Sequence, residues 1–297
     1  MIRLDTILVP TDFSDCAAHA YAHAARLAER TSAAVHALYA RVPGDDVNCP
    51  DEPAEKGWPE PCARRIERDG ASVAETILHV AEEGDADLIV MGTHGRTGLH
   101  HAMLGSVAEK VLRLAPCPVL VVPERAPDAG AAGGVRRVLA PVDFSEHARL
   151  AVAHAKALAA LHGAALDVLH VVEEAAIPTA YGLEPVLVVS PPVLERAEAA
   201  VRQVVAGVPG PEVPVAVHAE AGYAASDIVR FAEGVGSDLI VMATHGRTGI
   251  KHFLLGSVTE RVVRRAPCPV FSVRSFGKSL TPAVGEFGEP EARPQRH

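Results

Sequence analysis

The sequence predicts an α/β protein built from two tandem domains, each with a five-stranded parallel sheet flanked by helices. Three observations support this fold class. The chain of 297 residues is long enough to bury two hydrophobic cores. Four blocks of sequence recur in the same order in its two halves. In each half, short β-rich segments alternate with helical patterns, which is typical of βαβ units.

The internal repeat also sets the domain boundaries. The matched pairs are ILVPTDFS at 7–14 and VLAPVDFS at 138–145, DLIVMGTHGRTG at 87–98 and DLIVMATHGRTG at 238–249, LGSV at 104–107 and 255–258, and APCPV at 115–119 and 266–270. We predict a first domain over 1–123 and a second over 135–275. Residues 124–134, rich in Pro, Ala and Gly, are the predicted linker. Residues 276–297 lack any hydrophobic period and are predicted to be a disordered tail.

Runs of apolar and β-branched residues predict the strands. They cover about 6–10, 33–42, 64–69, 87–92 and 118–122 in the first domain, and about 137–142, 164–172, 213–219, 238–243 and 269–273 in the second. The continuous apolar run Leu88–Met91 is typical of a strand covered on both faces. Ser14 and Ser145 are expected to cap the alanine-rich helices that follow them.

The second domain holds about 20 more residues than the first after its second strand. We predict an amphipathic helix over Pro192–Val205 there, whereas the proline-rich segment 43–61 of the first domain cannot sustain one. The first domain is therefore expected to lack one crossover helix. A loop of that length is unusual in a compact domain and indicates a special role or a mobile flap.

Composition argues against several functional classes. The net charge of −9, without any basic run, disfavours a nucleic-acid binder. No apolar run reaches the ~18 residues of a membrane helix, and the first residues lack the features of a secretory signal. We therefore expect a cytoplasmic protein that contacts neither membrane nor nucleic acid. Its five cysteines, an odd number without a CxxC pair, are expected to be reduced thiols.

A glycine-rich segment after the fourth strand is the candidate phosphate-binding element. Gly92 and Gly95 lack a Cβ, which permits the backbone to approach a ligand closely. Further on, Gly105 and Ser106 open a helix whose N–H groups, hydroxyl and positive dipole end attract an anion. This element follows the carboxyl end of a parallel strand, where ligands bind in open α/β sheets.

An aspartate follows the first strand of each domain on the same edge of the sheet: Asp12 and Asp143. A carboxylate there could accept hydrogen bonds from ribose hydroxyls or an amine, or help to hold a divalent cation beside phosphates. An aspartate shortly before a helix is equally typical of helix capping. The sequence leaves these roles open.

With these motifs the chain resembles a tandem protein of the universal stress protein (UspA) family over residues 3–274. The resemblance implies Rossmann-like domains of the adenine nucleotide α-hydrolase type. The ATP-binding subgroup of that family carries Gly-x2-Gly-x9-Gly-Ser/Thr after its fourth strand. The first domain matches this pattern with Gly92, Gly95, Gly105 and Ser106. The second domain has Ala243 in place of the first glycine.

The resemblance implies one ATP site in each domain. Phosphates would be bound by Gly95, Gly105, Ser106 and Val107 in the first domain, and by Gly246, Gly256, Ser257 and Val258 in the second. Adenosine would lie over Pro10, Asp12, Ala40 and Met91, or over Pro141, Asp143, Val171 and Met242. The methyl group of Ala243 costs little if this residue keeps an ordinary β conformation, and impairs the site if it needs φ > 0. We expect the second domain to be the better binder because its fold is complete, although its motif is imperfect.

The loops contain two further residue types of interest. His94 and His245 are expected to support the loop or contact phosphate rather than to catalyse a reaction. Arg96 and Arg247 either pair with phosphate or face solvent. The sequence has neither a Walker A lysine nor an acidic pair spaced for two metal ions, so any ATP hydrolysis is expected to be slow. No dedicated metal site is predicted.

The resemblance also implies that the last strands of the two domains, 118–122 and 269–273, pair antiparallel, which removes an exposed edge. A homodimer of whole chains is a further expectation. The expected function is a stress-response protein that acts as a regulatory module by binding ATP, with or without Mg²⁺, or a related adenine nucleotide. A scaffold that acts on protein partners through segment 43–61 and a weak ATPase are the alternatives.

Overall fold

The computed structural model describes residues 2–43, 62–94, 104–124, 126, 134–173, 189–244, 255–274 and 276–281. The first domain contains β1 (Thr6–Pro10), α1 (Asp15–Thr31), β2 (Ala34–Arg41), β3 (Arg64–Asp69), α2 (Val73–Glu83), β4 (Leu88–Gly92), α3 (Ser106–Leu114) and β5 (Val119–Val122). The second contains β6 (Arg137–Pro141), α4 (Glu146–His162), β7 (Ala165–Glu173), α5 (Pro191–Gly207), β8 (Val215–Gly222), α6 (Ala224–Val235), β9 (Leu239–Ala243), α7 (Ser257–Arg265) and β10 (Val270–Val273). All ten predicted strands are present, with ends that differ by a few residues.

The first helix of each domain begins at a serine, as predicted. The hydroxyl oxygen of Ser14 accepts a hydrogen bond from the N–H of Ala17 over 3.2 Å, and that of Ser145 accepts one from Ala148 over 3.1 Å. Each bond satisfies an N–H group that has no partner inside the helix. Helices α1 and α4 therefore start close to the edge of the sheet where β1 and β6 end.

The strands form one ten-stranded sheet in the order β3-β2-β1-β4-β5-β10-β9-β6-β7-β8. Within each domain the pairs are parallel. The domains meet at an antiparallel pairing of β5 with β10, in which Leu120 lies opposite Phe271. The pairing implied by the family resemblance is thus present, and neither last strand is left as an edge.

Two layers of buried side chains lie on the two faces of this sheet, and each layer contains residues from both domains. Ile7 and Val138 belong to one layer, whereas their neighbours Leu8 and Leu139 belong to the other. All four side chains are at most 2% exposed. Because successive residues of a strand enter opposite layers, the central strands are apolar throughout.

The predicted helix of the second domain is confirmed as α5. The expectation that the first domain lacks this helix falls on residues 44–61, which lie outside the described residues. In the part of the chain that is described, the structure holds no helix both long and apolar enough to span a bilayer.

The C-terminal segment 276–281 packs against the body of the protein. The N–H of Lys278 donates to the carbonyl oxygen of Pro116 over 2.8 Å, and the carbonyl oxygen of Leu280 accepts from the N–H of Arg3 over 2.9 Å. The Leu280 side chain is 1% exposed. The prediction of disorder from residue 276 is therefore wrong for this segment, because one buried leucine produces no periodic pattern. Residues 282–297 lie outside the described part.

Candidate functional site

A cavity of about 660 Å³ opens in the second domain where β6, β7 and β9 end and where α6 and α7 begin. Its walls include eight residues that the sequence analysis had selected: Pro141, Asp143, Val171, Met242, Ala243, Gly256, Ser257 and Val258. These residues come from four separate segments of the chain. The cavity lies at the carboxyl edge of the parallel strands, the usual place for ligands in this kind of sheet.

The first turn of α7 forms one wall of this cavity. Gly256 stands at the N-cap position and offers no side chain to cap the helix. The N–H groups of the next three residues have no acceptor within the helix, because α-helical bonds begin only at the fourth residue. Ser257 and Val258 line the cavity, and Ser257 is exposed. The positive end of the helix dipole therefore points to the cavity.

At Gly256 the backbone is closely packed, which favours a glycine. Its N–H donates to the carbonyl oxygen of Thr244 over 2.8 Å, and a Cβ on residue 256 would lie 3.0 Å from that same oxygen. Gly105 has the same relation to Thr93, with a hydrogen bond of 2.9 Å and a Cβ distance of 3.0 Å. In both domains the glycine thus holds the helix against the end of the preceding strand.

The two rim carboxylates take part in helix capping and also lie at the edge of the site. Oδ1 of Asp143 accepts hydrogen bonds from the hydroxyl and the N–H of Ser145, over 2.6 and 3.1 Å. Asp12 and Ser14 repeat the arrangement with 2.6 and 3.0 Å. Each aspartate therefore holds the serine that caps the helix and does not cap the helix itself, and this contact fixes the Asp143 carboxylate in the cavity wall.

The departure from the glycine pattern at Ala243 has a structural explanation. Neither Gly92 nor Ala243 has φ in the left-handed region. A Cβ at residue 92 would overlap the sulfur of Cys16 on α1. The repeat counterpart of Cys16 is His147, so the second domain has a different side chain at that position. The glycine at 92 is therefore needed for packing against Cys16, and Ala243 keeps an ordinary strand conformation.

The first domain places its predicted residues at the same edge. Pro10 and Gly92 end β1 and β4, and Ser106 begins α3 next to Val107. Ala40 and Met91 are 9% and 6% exposed. Gly105 is again the N-cap and offers no side chain. The strand ends and the helix start of the second domain are thus repeated in the described part of the first.

The middle of each predicted phosphate loop lies outside the described residues. This applies to Gly95, Arg96, His245, Gly246 and Arg247, whose roles stay predictions. His94 is described, and its Nδ1 lies 2.9 Å from the hydroxyl oxygen of Thr93. Thr93 is itself 4% exposed. This contact suits the expected supporting role of His94.

The structure adds cavity residues that the sequence analysis missed. His170 lines the cavity, its Nδ1 lies 2.8 Å from the carbonyl oxygen of Val142, and its ring centroid is 4.3 Å from that of Phe144. Thr259 also lines it and donates from Oγ1 to the carbonyl oxygen of Ala243 over 2.8 Å. Its repeat counterpart Tyr39 contacts Phe13 in the same way, with 5.2 Å between centroids, but no sequence motif marks either residue as part of a site.

The cavity combines two chemical environments. Uncapped N–H groups and a hydroxyl at α7 suit an anion, whereas Pro141, Val171 and Met242 offer apolar surface. Asp143 supplies a carboxylate that can accept hydrogen bonds. No group of three or more His, Cys, Asp or Glu side chains is placed to hold a metal ion in the part of the chain that the structure describes.

The fold and this edge of the sheet define a tandem doubly wound α/β protein with its open site at the strand ends. Comparison with known proteins gives the family. The profile of the Universal stress protein family matches residues 3–123 and again residues 134–274. The chain therefore belongs to the universal stress protein family.

Individual relatives agree with this assignment. Universal stress protein MJ0531 of Methanocaldococcus jannaschii is 36% identical over 140 residues, which are 39% of this chain and 80% of that protein. Universal stress protein Mb2028c of Mycobacterium bovis is 30% identical over 210 residues, and the match spans 67% of this chain and 65% of that protein. A universal stress protein structure from Archaeoglobus fulgidus is 24% identical, covers 91% of this chain and 98% of its own, and has a TM-score of 0.66. The last comparison shows the shared fold.

Proposed function

We propose that this chain binds an adenine nucleotide such as ATP, with or without Mg²⁺, in the cavity of its second domain. In this proposal it serves the stress response as a regulatory module whose state depends on nucleotide occupancy and not on turnover. The observation that carries the proposal is the uncapped N terminus of α7, which opens into a cavity of about 660 Å³. That volume is in the range of small-molecule sites, roughly 300–1,000 Å³.

The phosphates would be bound at the start of α7. The N–H groups of Ser257 and Val258 and the hydroxyl of Ser257 are donors in or beside the cavity wall. Anions at a helix N terminus gain both from hydrogen bonds and from the dipole. The chain has a net charge of −9, so this local positive field would be the main attraction for a polyphosphate.

The nucleoside would lie across the apolar part of the cavity. Val171 and Met242 are 7% and 5% exposed and present apolar surface that suits a base. Asp143 is held in the wall by Ser145 and is placed to accept hydrogen bonds from ribose hydroxyls or from the exocyclic amine. An acceptor at this end and donors at the other match the two ends of a nucleotide.

The first domain would form a second, unequal site. Gly105, Ser106 and Val107 repeat the helix start, and Asp12 repeats the rim carboxylate. Cys16 lies against Gly92 there, where the second domain has His147 and Ala243. The two sites would therefore differ in affinity, with the second domain as the stronger.

Isothermal titration of the purified chain with ATP, ADP, GTP and inorganic phosphate tests the proposal. Wild type should bind ATP more tightly than GTP or phosphate. Ser257→Pro removes the hydroxyl and one N–H donor, and proline is accepted at the first position of a helix. Gly256 already has φ −60 and ψ 134, the conformation that a residue before proline prefers.

Ser257→Pro should weaken ATP binding about tenfold or more, because charge-assisted hydrogen bonds to the phosphates are lost. Ser106→Pro is the matched variant of the first domain, where Gly105 has φ −62 and ψ 143. It should leave the stronger site unchanged. Absence of ATP binding to wild type at millimolar nucleotide would contradict the proposal and favour the scaffold alternative.

A further inference from the structure

Arg274, the residue that follows β10, has a buried guanidinium group. It is 3% exposed, and its Cζ lies 3.6 Å from the centroid of the Phe276 ring. Its Nη1 donates to the carbonyl oxygen of Ala115 in the first domain, whereas its Nε has no hydrogen-bond partner among the described residues. Burying a charge costs free energy unless the charge is fully paired. This arrangement therefore needs a reason other than stability.

The acceptor of Arg274 lies at the end of the helix that begins at the proposed first-domain site. Ala115 is the C-cap residue of α3, and its carbonyl group lies at the negative end of the helix dipole. Ser106, at the proposed phosphate site, is the first residue of the same helix. The nine residues of α3 span about 14 Å. Arg274 of the second domain thus binds α3 at the end opposite to its proposed ligand site.

Backbone hydrogen bonds connect Arg274 to the cavity of the second domain as well. The N–H of Gly256, at the start of α7, donates to the carbonyl oxygen of Thr244. The N–H of Thr244 in turn donates to the carbonyl oxygen of Val273 over 2.9 Å, and the Thr244 hydroxyl lies 3.4 Å from the same oxygen. Because Val273 directly precedes Arg274, a short series of contacts leads from the start of α7 to the end of α3.

The first domain repeats the backbone part of this series but not the arginine. The N–H of Gly105 donates to the carbonyl oxygen of Thr93, and the N–H of Thr93 donates to that of Val122 over 3.2 Å. The next residue, Pro123, corresponds to Arg274 by repeat position. A proline side chain has no hydrogen-bond donor. Pro123 therefore cannot make to α7 the contact that Arg274 makes to α3.

We propose that Arg274 couples the two nucleotide sites, an inference that rests on the proposed function. A phosphate bound at the start of α7 restrains Thr244 and thereby keeps Arg274 fixed at the end of α3. With this end already held, α3 loses less conformational freedom when a second phosphate binds at Ser106. Occupation of the second domain therefore raises the affinity of the first, and the chain binds nucleotide with positive cooperativity.

Calorimetric titration of the full chain with ATP tests this coupling. Wild type should bind ATP in two steps, first in the second domain and then, more weakly, in the first. Ala224 is a half-buried residue that lines the cavity at the start of α6, so Ala224→Trp should fill the second-domain site without altering α7. In this variant the first domain should bind ATP about fivefold more weakly than in the second step of wild type, a coupling at the lower end of the usual range.

Two further variants separate the link from the general anchoring of the C-terminal segment. Arg274→Met cannot donate to Ala115, so its weaker step should fall to the affinity measured in Ala224→Trp. Lys278 anchors the same segment through ion pairs with residues that precede β4, so Lys278→Gln should keep the fivefold difference. If Arg274 served stability alone, Arg274→Met would lower the unfolding midpoint and leave the wild-type affinity of the weaker step unchanged.

Hydrogen exchange of α3 gives a second readout. At ATP concentrations that fill only the stronger site, the amides of residues 106–114 should exchange more slowly in wild type but not in Arg274→Met. Binding of one ATP per chain, or a weaker step with the same affinity in wild type, Ala224→Trp and Arg274→Met, would overturn the coupling and leave the proposed function intact. Absence of any ATP binding would overturn both.

Discussion

The N–H of Gly256 donates to the carbonyl oxygen of Thr244 over 2.8 Å, and this bond sets the first turn of α7 against the end of β9. The donors of the proposed phosphate site therefore belong to a fixed part of the domain. A glycine favours this close approach, because a Cβ at residue 256 would lie 3.0 Å from the same oxygen. Stability and ligand binding can consequently be separated by substitutions on the next residue.

Ser257→Asp should separate the two properties. A carboxylate at the first position of α7 interacts favourably with the helix dipole, so the free energy of unfolding should stay equal or rise by about 0.3–1 kcal/mol. The same charge should repel phosphate and abolish ATP binding at the stronger site, in the second domain. Thermal denaturation and calorimetric titration measure the two effects, with Ser106→Asp as the control in the first domain. Retained ATP affinity in a stable Ser257→Asp protein would place the phosphates elsewhere.

Gly92→Ala should destabilise the first domain by about 1–3 kcal/mol, because the new methyl group would overlap the sulfur of the half-buried Cys16. Combining it with Cys16→Ala should recover most of that loss. The reverse change in the second domain, Ala243→Gly, should cost no more than about 1 kcal/mol, the usual entropy term for glycine. Chemical denaturation of wild type, these three variants and Cys16→Ala alone measures this. Equal effects of Gly92→Ala with and without Cys16 would show that the sulfur is not the cause.

The free energy of unfolding should fall as the pH is lowered from about 6.5 to about 4. Burial lowers the pKa of His154 from 6.5 to about 4, so in this window the unfolded chain binds a proton that the folded chain does not. His154 should account for up to about 3 kcal/mol of this loss of stability. The loss is complete below the pKa of His154 in the folded protein and absent above about pH 6.5.

His162 should contribute in the same direction, because burial and the nearby Arg30 lower its pKa to about 4 as well. His154→Gln should therefore remove only part of the pH dependence. Urea unfolding at several pH values provides the measurement. An unchanged pH profile in this variant would show that His154 is not the titrating group.

Leu280→Ala should destabilise the protein by about 2 kcal/mol or more, the cost of emptying a buried leucine position. The variant should also expose segment 276–281 to protease, since the leucine is its apolar anchor. Ser279→Ala, which removes one hydroxyl beside His154, is the milder control. Unfolding curves and limited proteolysis report both effects. Equal protease resistance of wild type and Leu280→Ala would mean that the hydrogen bonds alone hold the segment.

Cys117 and Cys268 should resist alkylation in the folded protein. Burial raises the pKa of each thiol to about 12, and both are at most 1% exposed. The reactive thiolate is therefore scarce and covered. Mass spectrometry after iodoacetamide treatment at pH 8 should find these two cysteines unmodified without urea and modified with it. If the folded protein were labelled as fast as the unfolded protein, the chain would have to open readily at the starts of β5 and β10.

Much of the fold follows from local signals in the sequence. The buried strands are uninterrupted apolar runs such as Leu88–Met91, and the first helices begin at serines that can cap them. The duplication doubles the evidence for each element, because both copies must satisfy the same pattern. The residues that follow these strands are also repeated in both copies, and this repetition allowed several of them to be predicted as site residues from the sequence.

Other features depend on contacts that sequence patterns do not show. Gly92 matches a phosphate-binding pattern, yet the structure explains it by Cys16, which is distant in sequence. Leu280 carries no periodic signal, and its burial depends on His154 and Arg3 of two different domains. His170 enters the cavity wall through a contact with Phe144 that only the folded chain brings about.

The antiparallel pairing of β5 with β10 joins two domains that share one chain. In a dimer of separate identical subunits, every substitution is made twice, and the interface must stay complementary to itself. Here the linker keeps the partners at a high effective concentration, and each is encoded separately. The residues at the strand ends of one half can therefore change without the same change in the other half, as Gly92 and Ala243 already show.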